Sequence, residues 1–258
     1  MKRLLLCCTL LIAVMFSANL IAGSVDTPCA NIVLGDSLSE KWDHEGAAKA
    51  YLKAIEEDST NYEAFWKAAD EVTEVANDIS DKEKDKKEEL YAKADALCDK
   101  AIAVDPYGWE GHFYKSVAGG RLALFLGGKK KINMSKQIKV EVDRAITLNP
   151  EADLAYHVLG RWHQNLANLS WMLRAAAKVI YGGVPPGSNE EAVDAFKKAI
   201  AIDPLHIEHH LELGRTYKMM GKKDLAVIPL ETVLKLPNTD EDDDAFKKEA
   251  EELLKKVK

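Results

Sequence analysis

The sequence predicts an all-α chain built from stacked helix pairs, and three observations predict it. Three corners, Asp105-Pro106, Asn149-Pro150 and Asp203-Pro204, each close a nearly identical apolar run: CDKAIAVDP, VDRAITLNP and FKKAIAIDP. Proline after Asp or Asn stops one helix and launches the next. The prolines stand 44 and 54 residues apart, as expected of one unit recurring with loop insertions of different length.

The elements follow in register. A first unit from Pro28 carries Leu34-Gly35, Ala47, Tyr51 and Ala54, with Ser59 at the corner. The second, from Tyr62, carries Phe65 and Ala69, then 13 extra residues around DKEKDKKEE, then Ala94, Cys98, Ala101 and Pro106. The third, from Trp109, has His112, Ser116, Ile138, Val142, Ala145 and Pro150. The fourth, from Asp153, has Tyr156, Leu159-Gly160 and His163, then 20 extra residues, then Ala192, Phe196, Ala199 and Pro204. The fifth, from Ile207, has His210, Leu213-Gly214, Tyr217, Ala226, Leu230 and Val233, and ends near Pro237. A Lys/Glu-rich helix at about 242–256 completes the stack as a solvent-facing cap. This pattern resembles the 34-residue tetratricopeptide repeat (TPR), in which Gly and Ala mark the close approach of two helices and large residues fill the space between. The expectation is a TPR-type α-α superhelix of five pairs, one domain over 24–258.

The first residues read as a leader. Met1-Lys2-Arg3 precedes an apolar run from Leu4 to Phe16 and small residues at Ile21-Ala22-Gly23, the order of a signal peptide over 1–23. The 19 residues through Ala22 would also serve as a retained anchor. Cys29 follows Asp26-Thr27-Pro28, which is no lipoprotein box. Loss of the leader takes Lys2 and Arg3 and deepens the formal charge of −7, which argues against nucleic acid as a partner. Cys29 and Cys98 would remain, and a chain of this length can bury a core without a disulfide.

Between Leu154 and Pro204 lies a more specific signature, G-R-W-H at 160–163 followed by A-N-L-S-W at 167–171. With the ending LELGRTYKMMGKKDLAVIPLETVLKLP and its acidic turn, it resembles the regulator of microtubule dynamics family, strongly over about 105–258 and more weakly before. The resemblance implies a TPR scaffold that tethers and binds, without catalytic residues; the family's animal members are associated with microtubules and organelle membranes. The basic leader points instead to an exported compartment such as a bacterial periplasm.

Other constellations take bland readings. His206, His209 and His210 match no zinc motif, and His210 falls at the fourth place of its unit, which points into the pair. Gly127-Gly128-Lys129-Lys130-Lys131 lacks the Ser or Thr of a phosphate loop and reads as a solvated loop, as do Gly119-Gly120. G-x-S-x-G and H-E-x-x-H are absent. No enzyme activity, cofactor or metal is expected.

Function is therefore expected on the concave face. The inward places of the first helices are Asp36 and Glu40, then Trp66, Asp70 and Glu74, then Phe113 and Arg121, then His157, Arg161 and Gln164, then Leu211, Arg215 and Lys218. The expectation is a groove that grips an anionic segment on Arg161, Arg215 and Lys218, with Trp66 and Phe113 as apolar anchors and His157 beside them. Alternatively those arginines only pair with Glu208 or Glu212. A second role is a membrane-surface tether through the insertion at 165–187, an amphipathic helix ending at Gly182-Gly183. Its apolar stripe, Leu166, Leu169, Leu173, Ala176 and Ile180, is expected to pack on a neighbouring repeat, with Trp162 and Trp171 as buried anchors.

Overall fold

The computed structural model describes residues 29–258, so the leader reading of 1–23 lies outside it. Among the described residues the chain is all-helical. Five pairs stack in order: α1 (Ala30–Ser39) with α2 (His44–Glu57), α3 (Tyr62–Asp78) with α4 (Lys84–Val104), α5 (Trp109–Leu122) with α6 (Gly128–Leu148), α7 (Asp153–Ala167) with α9 (Asn189–Ile202), and α10 (Ile207–Met219) with α11 (Lys223–Lys235). The inserted helix α8 (Trp171–Tyr181) separates α7 from α9, and α12 (Asp243–Val257) caps α11 with Ala250, Leu253, Leu254 and Val257 buried. None of these helices is long and apolar enough to cross a membrane.

The corners explain their own composition. Asp58, Asp105, Asn149 and Asp203 each donate the backbone N–H to the carbonyl of an alanine four residues back, Ala54, Ala101, Ala145 and Ala199, at 2.8–2.9 Å. Each side-chain oxygen then accepts the N–H two residues on, at Thr60, Tyr107, Glu151 and Leu205. A short carboxyl or amide that can turn back on its own backbone is needed there, and at the last three corners the proline behind it holds the residue extended. All four alanines are fully buried, since a larger side chain would push the pairs apart.

The same logic accounts for the departures from the repeat pattern. A Cβ on Gly35, Gly160 or Gly214 would lie 2.4–2.6 Å from Tyr51, Phe196 or Leu230, so only glycine fits beneath those side chains. Where Ala69 and Ser116 replace it, the facing register carries the smaller Cys98 and Val142, and all four are buried. Small and large residues compensate across each pair.

Two insertions lengthen helices rather than loops. The charged stretch extends α4, which runs 21 residues from Lys84, as a mostly solvated extension. Gly119 and Gly120 lie within α5, and residues 128–131 form the first turn of α6, which corrects the expectation of one long loop. Within α5, Gly119 is where α6 comes close, since Met134 and Ile138 lie within 3.5 Å of where its Cβ would be.

The third insertion departs further. A helix with a left-handed end at Gly182 is as expected, but it begins only at Trp171 behind a Ser170 cap, and the expected stripe is split: Leu166 and Leu169 pack near Trp162 and Ile138, whereas the residues on α8 do not. Leu173, Ile180 and Trp171 are exposed, and of the α8 side chains only that of Ala177 is buried. The cause is Arg174, whose guanidinium donates to the carbonyls of Leu166 and Ala167 at the end of α7 and so fixes the polar side of α8 inward.

Candidate binding groove

The first helices of the pairs, α3, α5, α7 and α10, line the concave side, and its two ends have different chemistry. At the C-terminal end both arginines are taken up by carboxylates of the chain itself. Glu212 is fully buried and accepts from Arg161 at 2.8 Å, from Gln164 at 2.8 Å and from Arg215; Arg161 also reaches Glu208 at 3.2 Å, and Arg215 reaches Glu249. Although burial opposes it, the charges of His157 and Arg161 hold the Glu208 carboxyl well below its usual range. Arg161 thus bolts α7 to α10 and Arg215 ties α10 to α12, and both bring little free charge to the groove. Lys218 is half-exposed in the last turn of α10.

The histidines belong to the same seam. His209 bonds Asp153 at 3.0 Å through Nε2 and meets His157 at 3.0 Å through Nδ1, and His206 stacks on its ring at 4.2 Å. Burial pushes His209 down to about 4, in spite of Asp153. His210, and His112 at the same place of its unit, donate Nε2–H to the carbonyls of Pro204 and Pro106. Among the described residues no group of three or more His, Cys, Asp or Glu is placed to hold a metal ion.

Several expected groove residues are therefore corrected. His157 and Gln164 are buried because α10 packs over them, Leu211 is fully buried in the core of the fifth pair, and Phe113 is buried edge-on against Tyr114. None of the four is a free anchor.

The N-terminal end is different. Trp66 is half-buried and stacks face to face on Tyr114, centroids 5.3 Å apart and 6° from parallel, making one flat aromatic floor across α3 and α5. Around it Asp36, Glu40, Trp66, Lys67, Asp70 and Glu71 line a hollow of about 260 Å³. Lys67 is committed to Asp36 at 2.6 Å and Glu63 at 2.7 Å. Loss of water, then the charges of Glu74 and Glu71, push the Asp70 carboxyl up to about 8; burial also raises Glu74.

Facing this wall is a segment that register reasoning missed. The turn before α12 is pinned by buried Asp243, which accepts from the N–H groups of Thr239 and Asp240 at 2.7 and 2.8 Å. It reaches the first repeat, where His44 bridges Glu71 at 2.8 Å and Glu241 at 3.1 Å. Although burial works against the imidazolium, those two carboxylates raise His44 to about 9. Burial and then Asp240 and Glu241 raise the Asp242 carboxyl, and the cation facing both Glu74 and Asp242 is Arg121. The acidic run at 240–244 was the visible signal, but nothing local says that it folds back on α2.

A pH signature follows. Because Asp70 is raised, its contribution to stability is complete below its unfolded value near 4 and is lost as pH rises through about 8. Asp70→Asn is expected to match wild type near pH 4, to gain on it as pH rises toward 8, and to melt roughly 10 °C higher at pH 9, read by circular dichroism.

The family described as Regulator of microtubule dynamics protein 1-3 matches residues 34–258. Regulator of microtubule dynamics protein 1 of Bos taurus is 30% identical over 200 residues, 77% of this chain and 62% of the relative. Protein 3 of Bos taurus is 32% identical over 145 residues, 56% of this chain and 31% of that relative. The chain thus spans under two thirds of the length of each. In fold it is similar to a thermophilic TPR protein of Thermus thermophilus, with a TM-score of 0.63 and 17% identity over 85% of this chain and 96% of that one.

Proposed function

The chain belongs to the regulator of microtubule dynamics family, and from that premise we propose that it is a non-catalytic scaffold whose concave groove holds a segment of another protein. The observation that carries this reading is the pair of acidic walls: Glu74 on α3, with Asp70 one turn before it, faces Asp242 on the returning turn, and all three carboxyls are raised. Like charges held together across a gap favour a cation between them. The groove therefore takes a basic segment, with an aliphatic or aromatic side chain laid on the Trp66–Tyr114 floor. An anionic segment at Arg161, Arg215 and Lys218 is the competing reading, and the ion pairs of both arginines disfavour it.

A photo-crosslinking amino acid at position 66, compared with position 107, tests this in cells. Tyr107 is an exposed corner residue away from the aromatic floor. The partner is expected to crosslink from 66 through a Lys/Arg-rich segment and not from 107. Crosslinks from 218 through an acidic segment would move the site to the other end.

A further inference from the structure

Helix α8 is inside out for a surface helix. Met172, Ala176, Val179 and Ile180 recur at i, i+4, i+7 and i+8 and form one face, which points to solvent: Val179 is 87% exposed, Ile180 64% and Met172 62%. Trp171, 77% exposed, and Lys178 stand along its edge. Scattered exposed apolar residues are ordinary, but a contiguous helical stripe of them marks a contact surface.

Its neighbourhood supplies the charge. The Tyr181 hydroxyl lies 2.5 Å from where a Cβ on Gly128 would be, so the end of α8 abuts the start of α6. There Lys129, Lys130 and Lys131 are exposed in succession, while the ion-paired lysine of α6 among the described residues is Lys139, bound to Asp143. An apolar face, an edge tryptophan and a lysine cluster thus sit together on a chain whose formal charge is −7.

We propose that α8, with Lys129, Lys130 and Lys131, forms a docking surface for an anionic lipid bilayer, α8 lying in the interface plane. A second copy of the chain fits less well, because a two-fold axis through this patch would bring two lysine clusters together. A bilayer bearing acidic headgroups takes the apolar stripe into its acyl boundary and pairs with the lysines. The surface is independent of the groove, and it leaves the groove free to hold a partner at the membrane.

Flotation of the full chain with phosphatidylcholine vesicles, with and without phosphatidylserine, tests this. Binding is expected to the anionic vesicles, with a blue shift of Trp171 emission that Trp171→Phe removes. Each lysine near such a surface strengthens binding about fivefold, so neutralising all three to Gln should weaken it roughly a hundredfold. Val179→Glu with Ile180→Glu should abolish it without changing the melting temperature, since neither side chain is packed. Binding that survives both variants would overturn the proposal. So would Trp171 emission already blue in buffer and unmoved by vesicles, or a dimer by sedimentation that the Val179/Ile180 variant dissociates.

Discussion

Glu212→Ala is expected to lower the unfolding free energy by about 3–5 kcal/mol, because it removes the buried carboxylate that Arg161, Arg215 and Gln164 share and leaves the two guanidinium groups only their outer partners, Glu208 and Glu249. In a chain of this size that corresponds to a melting temperature lower by roughly 10 °C. Glu212 is fully buried and joins Arg161 and Gln164 of α7 to Arg215 of α10, so its loss should loosen the seam between the fourth and fifth pairs. Glu249→Ala removes only the outer partner of Arg215, which is exposed, and should change stability by under about 0.5 kcal/mol. The double reversal Arg161→Glu with Arg215→Glu should unfold the C-terminal end rather than merely remove a binding site. Urea titrations of the three variants check this; a stable double reversal would make both arginines free groove residues.

The two tryptophans of the family signature are expected to differ sharply. Trp162 is 8% exposed, packs with Ala123, Ile138 and Leu166, and donates its indole N–H to the Ser135 carbonyl at 2.7 Å. Trp162→Ala removes a buried ring and its hydrogen bond to α6, at a cost of about 3–5 kcal/mol. Trp171→Ala removes a ring already in water and should stay within about 0.5 kcal/mol of wild type. Thermal melts of the pair decide the matter, and equal losses would mean that α8 is packed in solution.

The fold was legible because each repeat writes its closest contacts as small residues. Gly35, Gly160, Gly214 and the four corner alanines can be read directly, and the pattern tolerates insertions since these fall between units. Position along the first helices was less informative. Register places His157 and Leu211 inward as surely as Trp66, but whether an inward residue meets solvent depends on how tightly the next pair closes over it. Charge was legible only as an alternative: Glu208 and Glu212 stand in the sequence as partners for Arg161 and Arg215, and they are the partners in the structure, but register alone does not decide between paired and free arginines. The return of Glu241 to His44 spans 197 residues, and no local pattern encodes it. The exposure of α8 was hidden by its periodicity, which shows that one face is apolar and not where that face points.

The proposal that the groove holds a basic segment is tested most directly by calorimetric titration of Lys/Arg-rich and Asp/Glu-rich peptides of equal length, at pH 6 and at pH 8. A cation in the groove favours ionised Asp70, so binding and deprotonation are linked. The groups around that carboxyl are Glu71 and Glu74 on α3, Tyr114 on α5 and His44 on α2; His44, raised to about 9, stays charged over this range. The basic peptide is expected to bind, to bind more tightly at pH 8, to weaken with salt and to lose affinity in Trp66→Ala. Preference for the acidic peptide, or basic-peptide affinity that is the same at both pH values and indifferent to Trp66, would contradict it.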